Sequence, residues 1–286
     1  MGTEGIVVGV VTDSAASIAP DLASSCRVAI APLSLDIDGV PCTDDSVGID
    51  EVARLVREGS TVKTAAPTPG AFLSAIEEAD QGRGVVVITV GGSFSSTGDS
   101  ARLAAGMTDA RVEVIDSGTA AGAEGLVVLA AAQAAIDGAP FDEVIRSASE
   151  ARRRVRLVAE VGDLTYLIRG GRVPSPLGAI GNAVGVRPVF ELRRGNVRPM
   201  RPVFSPNAAF DLMISSWRKS KRPGHRLHVA GLHVGAPEEA EKLLAAVCEV
   251  VEPVTRFAAP FGPAMVAHTG PDLRGLAWWW EPETGS

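Results

Sequence analysis

The chain has 286 residues, 46% of them hydrophobic and 21% charged, and a formal net charge of -7. That length allows one large or two ordinary domains with a sizeable core, and the acidic balance argues against a nucleic-acid-binding surface. No apolar run reaches membrane-spanning length, the start MGTEGIVVGV has no basic stretch before its apolar residues, and Cys26, Cys42 and Cys248 lie far apart without a CxxC pattern. The expectation is a cytoplasmic protein with reduced thiols, no signal peptide and no structural zinc.

Residues 6–11 form a continuous apolar run of strand length, which suits a buried parallel strand. It ends in Thr12-Asp13-Ser14, placing polar groups at a strand's carboxyl end, where open α/β sheets build sites; Asp13 can equally cap the next turn. Pro20 opens a short helix, residues 28–35 read as the next strand, and residues 36–45 as a polar loop around Gly39-Val40-Pro41. Residues 50–57 have helical spacing with Asp50 as N-cap. Lys63 to Gly70 (KTAAPTPG) is held extended by its prolines, and a helix over 71–79 follows.

The strand over 85–90 runs into TVGGSFSSTGDSA, residues 89–101, where Gly91-Gly92 and the hydroxyls Ser93, Ser95, Ser96 and Thr97 precede a helical pattern. A glycine turn into a helix leaves N–H groups free at the positive end of the helix, an anion cradle; the plain alternative is an N-cap in a polar loop. A strand over 111–115 ends in Asp116-Ser117, and helices cover 125–136 and 141–156. This alternation predicts a mainly parallel sheet flanked by helices over residues 1–158.

The texture then changes. Residues 158–161 read as a short strand, LTYLIRGGR occupies 164–172, and 177–186 is a helix of alternating apolar and small residues. A hairpin over 187–192 and 196–202 is turned by Arg194-Gly195-Asn196. A helix over 208–218, a strand over 227–233, a helix over 238–250 and a strand pair around 262–268 and 275–280 complete a second, α+β domain over 159–286. The Trp278-Trp279-Trp280 run fits core and edge packing better than a binding platform.

No P-loop or strand-following G-x-G-x-x-G occurs. His228 and His233, five apart on one strand, face opposite ways, so with His225 they make no metal site. His268 stands at the end of the apolar run 264–267, beside a turn. Ser93 or Ser95, Asp116 and His268 occur in the chain order of an α/β-hydrolase triad, which makes a serine hydrolase the alternative. The serines lack the closing glycine of G-x-S-x-G and no HGGG-type loop is present.

Seven short motifs in order across the chain resemble one family. They are Val11-Thr12-Asp13-Ser14, Thr64 through Pro69-Gly70, Ser95-Ser96-Thr97, Val114-Ile115-Asp116-Ser117, residues 164–172, Arg187-Pro188, and Gly262-Pro263 through His268-Thr269-Gly270-Pro271. Together they are similar to the DegV-like proteins, bacterial fatty-acid-binding proteins of the fatty acid kinase system. The resemblance implies a two-domain α/β fold that holds one long-chain fatty acid between its domains, with no cofactor. It also implies that the chain is no enzyme itself: it presents the carboxylate to a separate ATP-binding kinase subunit that makes the acyl phosphate, and it touches membrane transiently. Carried over, Thr64 and Ser95 bind the carboxylate with Ser96, Thr97 and His268 beside them, and Arg172 falls on the family's Gly-Gly-Arg, near the carboxyl end or the kinase surface. Ala65-Ala66 stand where the family has Ser-Gln, and Ser96 where it has Gly, so Ser96 is expected to compensate for lost polar groups.

The residues agree with that expectation. A carboxylate taken out of water needs several donors, which two hydroxyls, helix-start N–H groups and a histidine can provide. Residues 164–186 would wall the acyl chain.

Overall fold

A computed structural model describes residues 7–169, 171 and 186–283. β1 (Gly9–Asp13) leads through one turn of 3-10 helix and α1 (Pro20–Ser25) to β2 (Val28–Ala31), which pairs parallel with it, Val10 opposite Val28. β3 (Ser34–Ile37) and β4 (Val40–Thr43) form a hairpin. α2 (Ile49–Glu58) returns the chain to β5 (Val62–Ala65), antiparallel to β3 with Thr64 opposite Leu35. α3 (Pro69–Ala79), β6 (Val85–Thr89), α4 (Thr97–Ala105) and β7 (Val112–Asp116) complete a parallel sheet of order β2-β1-β6-β7. The strands β1 and β6 are buried at every residue, as continuous apolar runs covered on both faces must be.

α5 (Ala121–Ile136) and α6 (Phe141–Arg154) lead to β8 (Arg156–Val161), and α7 (Leu164–Arg169) follows. β9 (Val189–Arg193), β10 (Asn196–Pro199), α8 (Pro206–Lys219), β11 (His225–His233), α9 (Pro237–Cys248), β12 (Thr255–Pro260), α10 (Pro263–Thr269) and β13 (Leu273–Pro282) finish the chain. The second sheet has the order β10-β9-β8-β13-β11-β12. Its pairs are antiparallel except β11–β12. β8 belongs to this sheet, so the change of sheet falls near Val155, and residue 158 lies inside β8.

One apolar cluster runs from the parallel sheet through α5 into the second sheet, from Val10 and Ile88 to Ala230, Leu232 and Trp279. α5 packs against β1 and β6 on one side and β11, β12 and β13 on the other, and 12 of its residues are buried. A helix apolar all round belongs in such a place. Its glycines permit the close approach: a Cβ on Gly125 would stand 2.7 Å from the Ala16 carbonyl oxygen, and one on Gly122 2.9 Å from the Ala259 methyl.

Four sequence expectations need correction. Residues 28–35 are two strands rather than one, because Pro32, without an N–H, ends β2. Residues 36–45 are largely β3 and β4, not a loop; Asp38 and Gly39 both have positive φ (51° and 90°), the pattern of a tight hairpin turn. Gly48, not Asp50, is the N-cap of α2, with Asp50 in the first turn. Residues 262–268 form no strand: Gly262 caps α10 and Pro263 occupies its first position, where a proline favours helix. The edge strand is β12 instead. The helix expected over 177–186 lies outside the described residues, apart from Val186.

Candidate ligand-binding site

β1, β6 and β7 end on the same edge of the parallel sheet, and the winding reverses between β1 and β6, where open α/β sheets place their ligands. Ala15, Val90 and Ala120, which follow these three strands, floor a cavity of about 350 Å³. The second sheet supplies the facing wall through Leu157 on β8 and Phe190 and Leu192 on β9. Phe94, Phe261 and Met265 close the sides. The volume lies in the usual range for small-molecule sites, about 300–1,000 Å³.

Thr64, Ser95, Ser96 and His268 interrupt this apolar lining. Strand alternation turns Val62 and Thr64 inward, half-buried, while Lys63 and Ala65 face solvent. α10 packs on β5 and brings His268, in its last turn, to Thr64: Nε2 and Oγ1 are 2.6 Å apart, with the donor set by the imidazole tautomer. Ser95 Oγ is 2.8 Å from Thr97 Oγ1. Ser100 Oγ donates to the Pro67 carbonyl and so ties the first turn of α4 to the segment after Thr64. At the head of α4 the N–H groups of Ser95, Ser96, Thr97 and Gly98 find no acceptor among the described residues, which leaves an electropositive helix start beside the hydroxyls.

Beneath the floor lies a pair of buried acids. Asp13 accepts from the N–H of Ala15 (3.0 Å) and of Val90 (2.9 Å), so one carboxyl fixes two floor residues. Burial pushes its pKa up to about 7. Glu124 on α5, equally buried, accepts from Thr12 Oγ1 and is pushed well above the carboxylate range by burial and then by the neighbouring Asp13. Asp44 accepts from Ser14 Oγ at 2.7 Å, and burial raises its pKa to about 6. Among the described residues no group of three metal-ligating side chains occurs.

A family model described as "uncharacterised protein, DegV family" matches residues 7–281. The chain belongs to the DegV family. A Thermotoga maritima protein described as a fatty acid-binding protein is 29% identical over 194 residues, 67% of each chain. A crystal structure of a DegV lipid-binding protein from Thermotoga maritima superimposes with a TM-score of 0.85 at 26% identity, covering 96% of this chain and 99% of that one. A DegV family protein from Thermus thermophilus, described by its fatty acid binding, gives a TM-score of 0.87 at 24% identity, covering 96% and 100%, and shows the shared fold.

In this DegV chain four residues named from sequence, Thr64, Ser95, Ser96 and His268, meet on the cavity lining. His268 arrives there from a helix rather than a strand end. Thr97 does not line the cavity; it is buried and holds the Ser95 hydroxyl. Arg172 lies outside the described residues, although Leu167, from the same motif, is on the wall. The triad of Ser93 or Ser95, Asp116 and His268 does not assemble. Asp116 accepts from the N–H groups of Gly92 and Gly118 and lines a separate pocket with exposed Ser93, while His268 Nε2 meets Thr64. Likewise His228 stacks on Trp279, ring centroids 4.4 Å apart, and joins no metal site among the described residues.

Sequence reasoning missed the apolar half of the site. Phe190 and Leu192 share one face of β9 by simple alternation, a signal available in sequence, whereas Phe94 and Phe261 sit in loops where no period marks them. Glu124 was hidden in an alanine-rich helix.

Proposed function

We propose that this DegV chain holds one long-chain fatty acid in the cavity between its sheets, with the carboxylate at Thr64, Ser95, Ser96 and His268 and the acyl chain along Phe94, Phe190, Leu192, Phe261 and Met265. The observation that carries this is the amphipathic lining, a few donors set into an otherwise apolar cavity. Hydroxyls and free helix-start N–H groups replace the water a carboxylate loses. Burying a chain of about 16 carbons contributes on the order of 10 kcal/mol before ordering costs, at about 0.8 kcal/mol per CH₂. The description of the Thermotoga maritima relative as a fatty acid-binding protein supports the same ligand class.

In the fuller reading this chain is a cytoplasmic carrier rather than an enzyme. A separate ATP-binding kinase subunit phosphorylates the presented carboxyl group, Arg172 stands near that surface, and membrane contact is transient. The resemblance in the motifs supports this part.

Native mass spectrometry of the purified protein, followed by denaturation and lipid analysis, tests the ligand. One fatty acid per chain is the expected result; a protein that stays empty after incubation with free fatty acids sinks the proposal. Thr64→Ala together with Ser95→Ala should weaken retention at least tenfold, since a hydrogen bond to a charged group contributes about 1.5–3 kcal/mol. Unchanged retention would move the carboxylate elsewhere.

A further inference from the structure

A second groove, of about 680 Å³, opens on the opposite face of β9 from the lipid cavity. Alternation along that strand sends Leu192 into the cavity and Arg193 into the groove. Eight Lys and Arg side chains line it and no carboxylate does. The end of α6 and the start of β8 give Arg153, Arg154 and Arg156; the hairpin gives Arg193 and Arg194; and the end of α8 with the loop after it gives Lys219, Lys221 and Arg222.

Nearby acids neutralise only part of this charge. Glu191 pairs with Arg156 at 2.6 Å, and Glu150 with Arg153 and Arg154. Arg193, Lys219, Lys221 and Arg222 form no ion pair among the described residues. The Nε of Arg193 is buried without an acceptor. Burial first, and then the Arg156 and Arg194 cations, hold the Arg193 pKa below its ordinary value. In a chain of net charge -7, such crowding of like charge opposes folding unless something else compensates.

The groove is also a built feature. Ser220 accepts the indole N–H of Trp278 (2.7 Å) and of Trp280 (3.0 Å) and donates to the Trp217 carbonyl. These three bonds pin the end of α8 and the loop after it, which carry Lys219, Lys221 and Arg222. A concave, positively charged site concentrates field, and guanidinium forks match phosphate oxygens in pairs. Its volume falls in the range of small-ligand sites.

We propose that this groove binds a small, multiply phosphorylated anion, such as inorganic tripolyphosphate or the triphosphate chain of a nucleotide. The proposal is independent of the lipid cavity. Titration calorimetry of the full chain with tripolyphosphate, and separately with a nucleoside triphosphate, tests it. Binding is expected, weakening as salt rises, with inorganic phosphate binding far less. Arg193→Gln should cost about tenfold or more, as losing charge-assisted bonds does. Lys221→Glu with Arg222→Glu, on two exposed loop residues, should do the same with an unchanged melting curve, which guards against misfolding of the first variant. No binding of either polyphosphate, or equal binding by the loop variant, overturns the proposal. So does selective binding to phosphatidylglycerol vesicles that tripolyphosphate fails to displace, since the groove would then serve a lipid surface.

Discussion

Asp13 and Glu124 interact with each other out of contact with water, and the neutral form of at least one of them is favoured well above the pH at which an exposed carboxyl ionises. The sign follows from proton linkage. For Asp13 the folded-state pKa of about 7 exceeds the ordinary aspartate value of 3.8, so the folded state binds more protons and stability falls as pH rises between those values. Asp44, raised to about 6, acts in the same direction. Urea unfolding should therefore show a protein less stable at pH 7 than at pH 5, with a slope of at most about 1.4 kcal/mol per pH unit for each proton. Glu124→Gln removes the titrating carboxyl beside Asp13, and the slope should flatten; an unchanged slope would clear the pair of responsibility. Thr97→Val removes the partner of the Ser95 hydroxyl while leaving the cavity wall intact, and should loosen fatty-acid retention a few-fold, read by lipid exchange, with little change in stability. Sequence made Thr64, Ser95 and His268 legible because their motifs carry them. It could not reveal Glu124, whose partner lies 111 positions away, nor tell that Asp13 ties two loops together.

α5 is the element on which both sheets rest, and its glycines show packing overriding helix propensity. In an exposed helix, Gly→Ala stabilises by about 1 kcal/mol. At Gly125 the new methyl would meet the Ala16 carbonyl at 2.7 Å, and overpacking typically costs about 1–3 kcal/mol. Gly125→Ala should thus destabilise, seen as a lower urea midpoint at unchanged m-value; a stabilised variant would show that the helix shifts freely. Elsewhere, legibility followed the length of the apolar signal. The buried runs of β1 and β6 and the long helices α5, α6, α8 and α9 were readable within a few residues. The four-residue strands β3 and β4 were not: Leu35 and Ile37 alternate along β3 for only two positions, and in β4 Val40 is 65% exposed and followed by Pro41; the Asp38-Gly39 turn was the usable clue. In α10 the residues Ala264-Met265-Val266-Ala267 fit strand and helix equally well, and Pro263 decided the outcome.

Across the whole molecule, the apolar cluster passes unbroken from one sheet to the other, and the hairpin of the second sheet donates the Gly195 N–H to the Gly118 carbonyl of the first unit at 2.6 Å. Calorimetry should therefore record one unfolding transition rather than two. Bound fatty acid should raise its midpoint, by the equivalent of about 2.7 kcal/mol at a free ligand concentration of 100 Kd; two separated transitions would mean that the sheets are energetically independent. The basic groove was illegible at this scale for a simple reason: its cations come from three stretches spread over residues 153–222, and the total charge of the chain points the other way.

The last strand, β13, lies in the middle of the second sheet, between β8 and β11, and Thr64 meets a histidine 204 residues later. A chain emerging from the ribosome can wind its parallel sheet early, yet it has no closed cavity and no Thr64–His268 contact until residues 268–282 are synthesised. On the proposed function, an unfinished chain is kept from taking up lipid, and cargo loading follows synthesis.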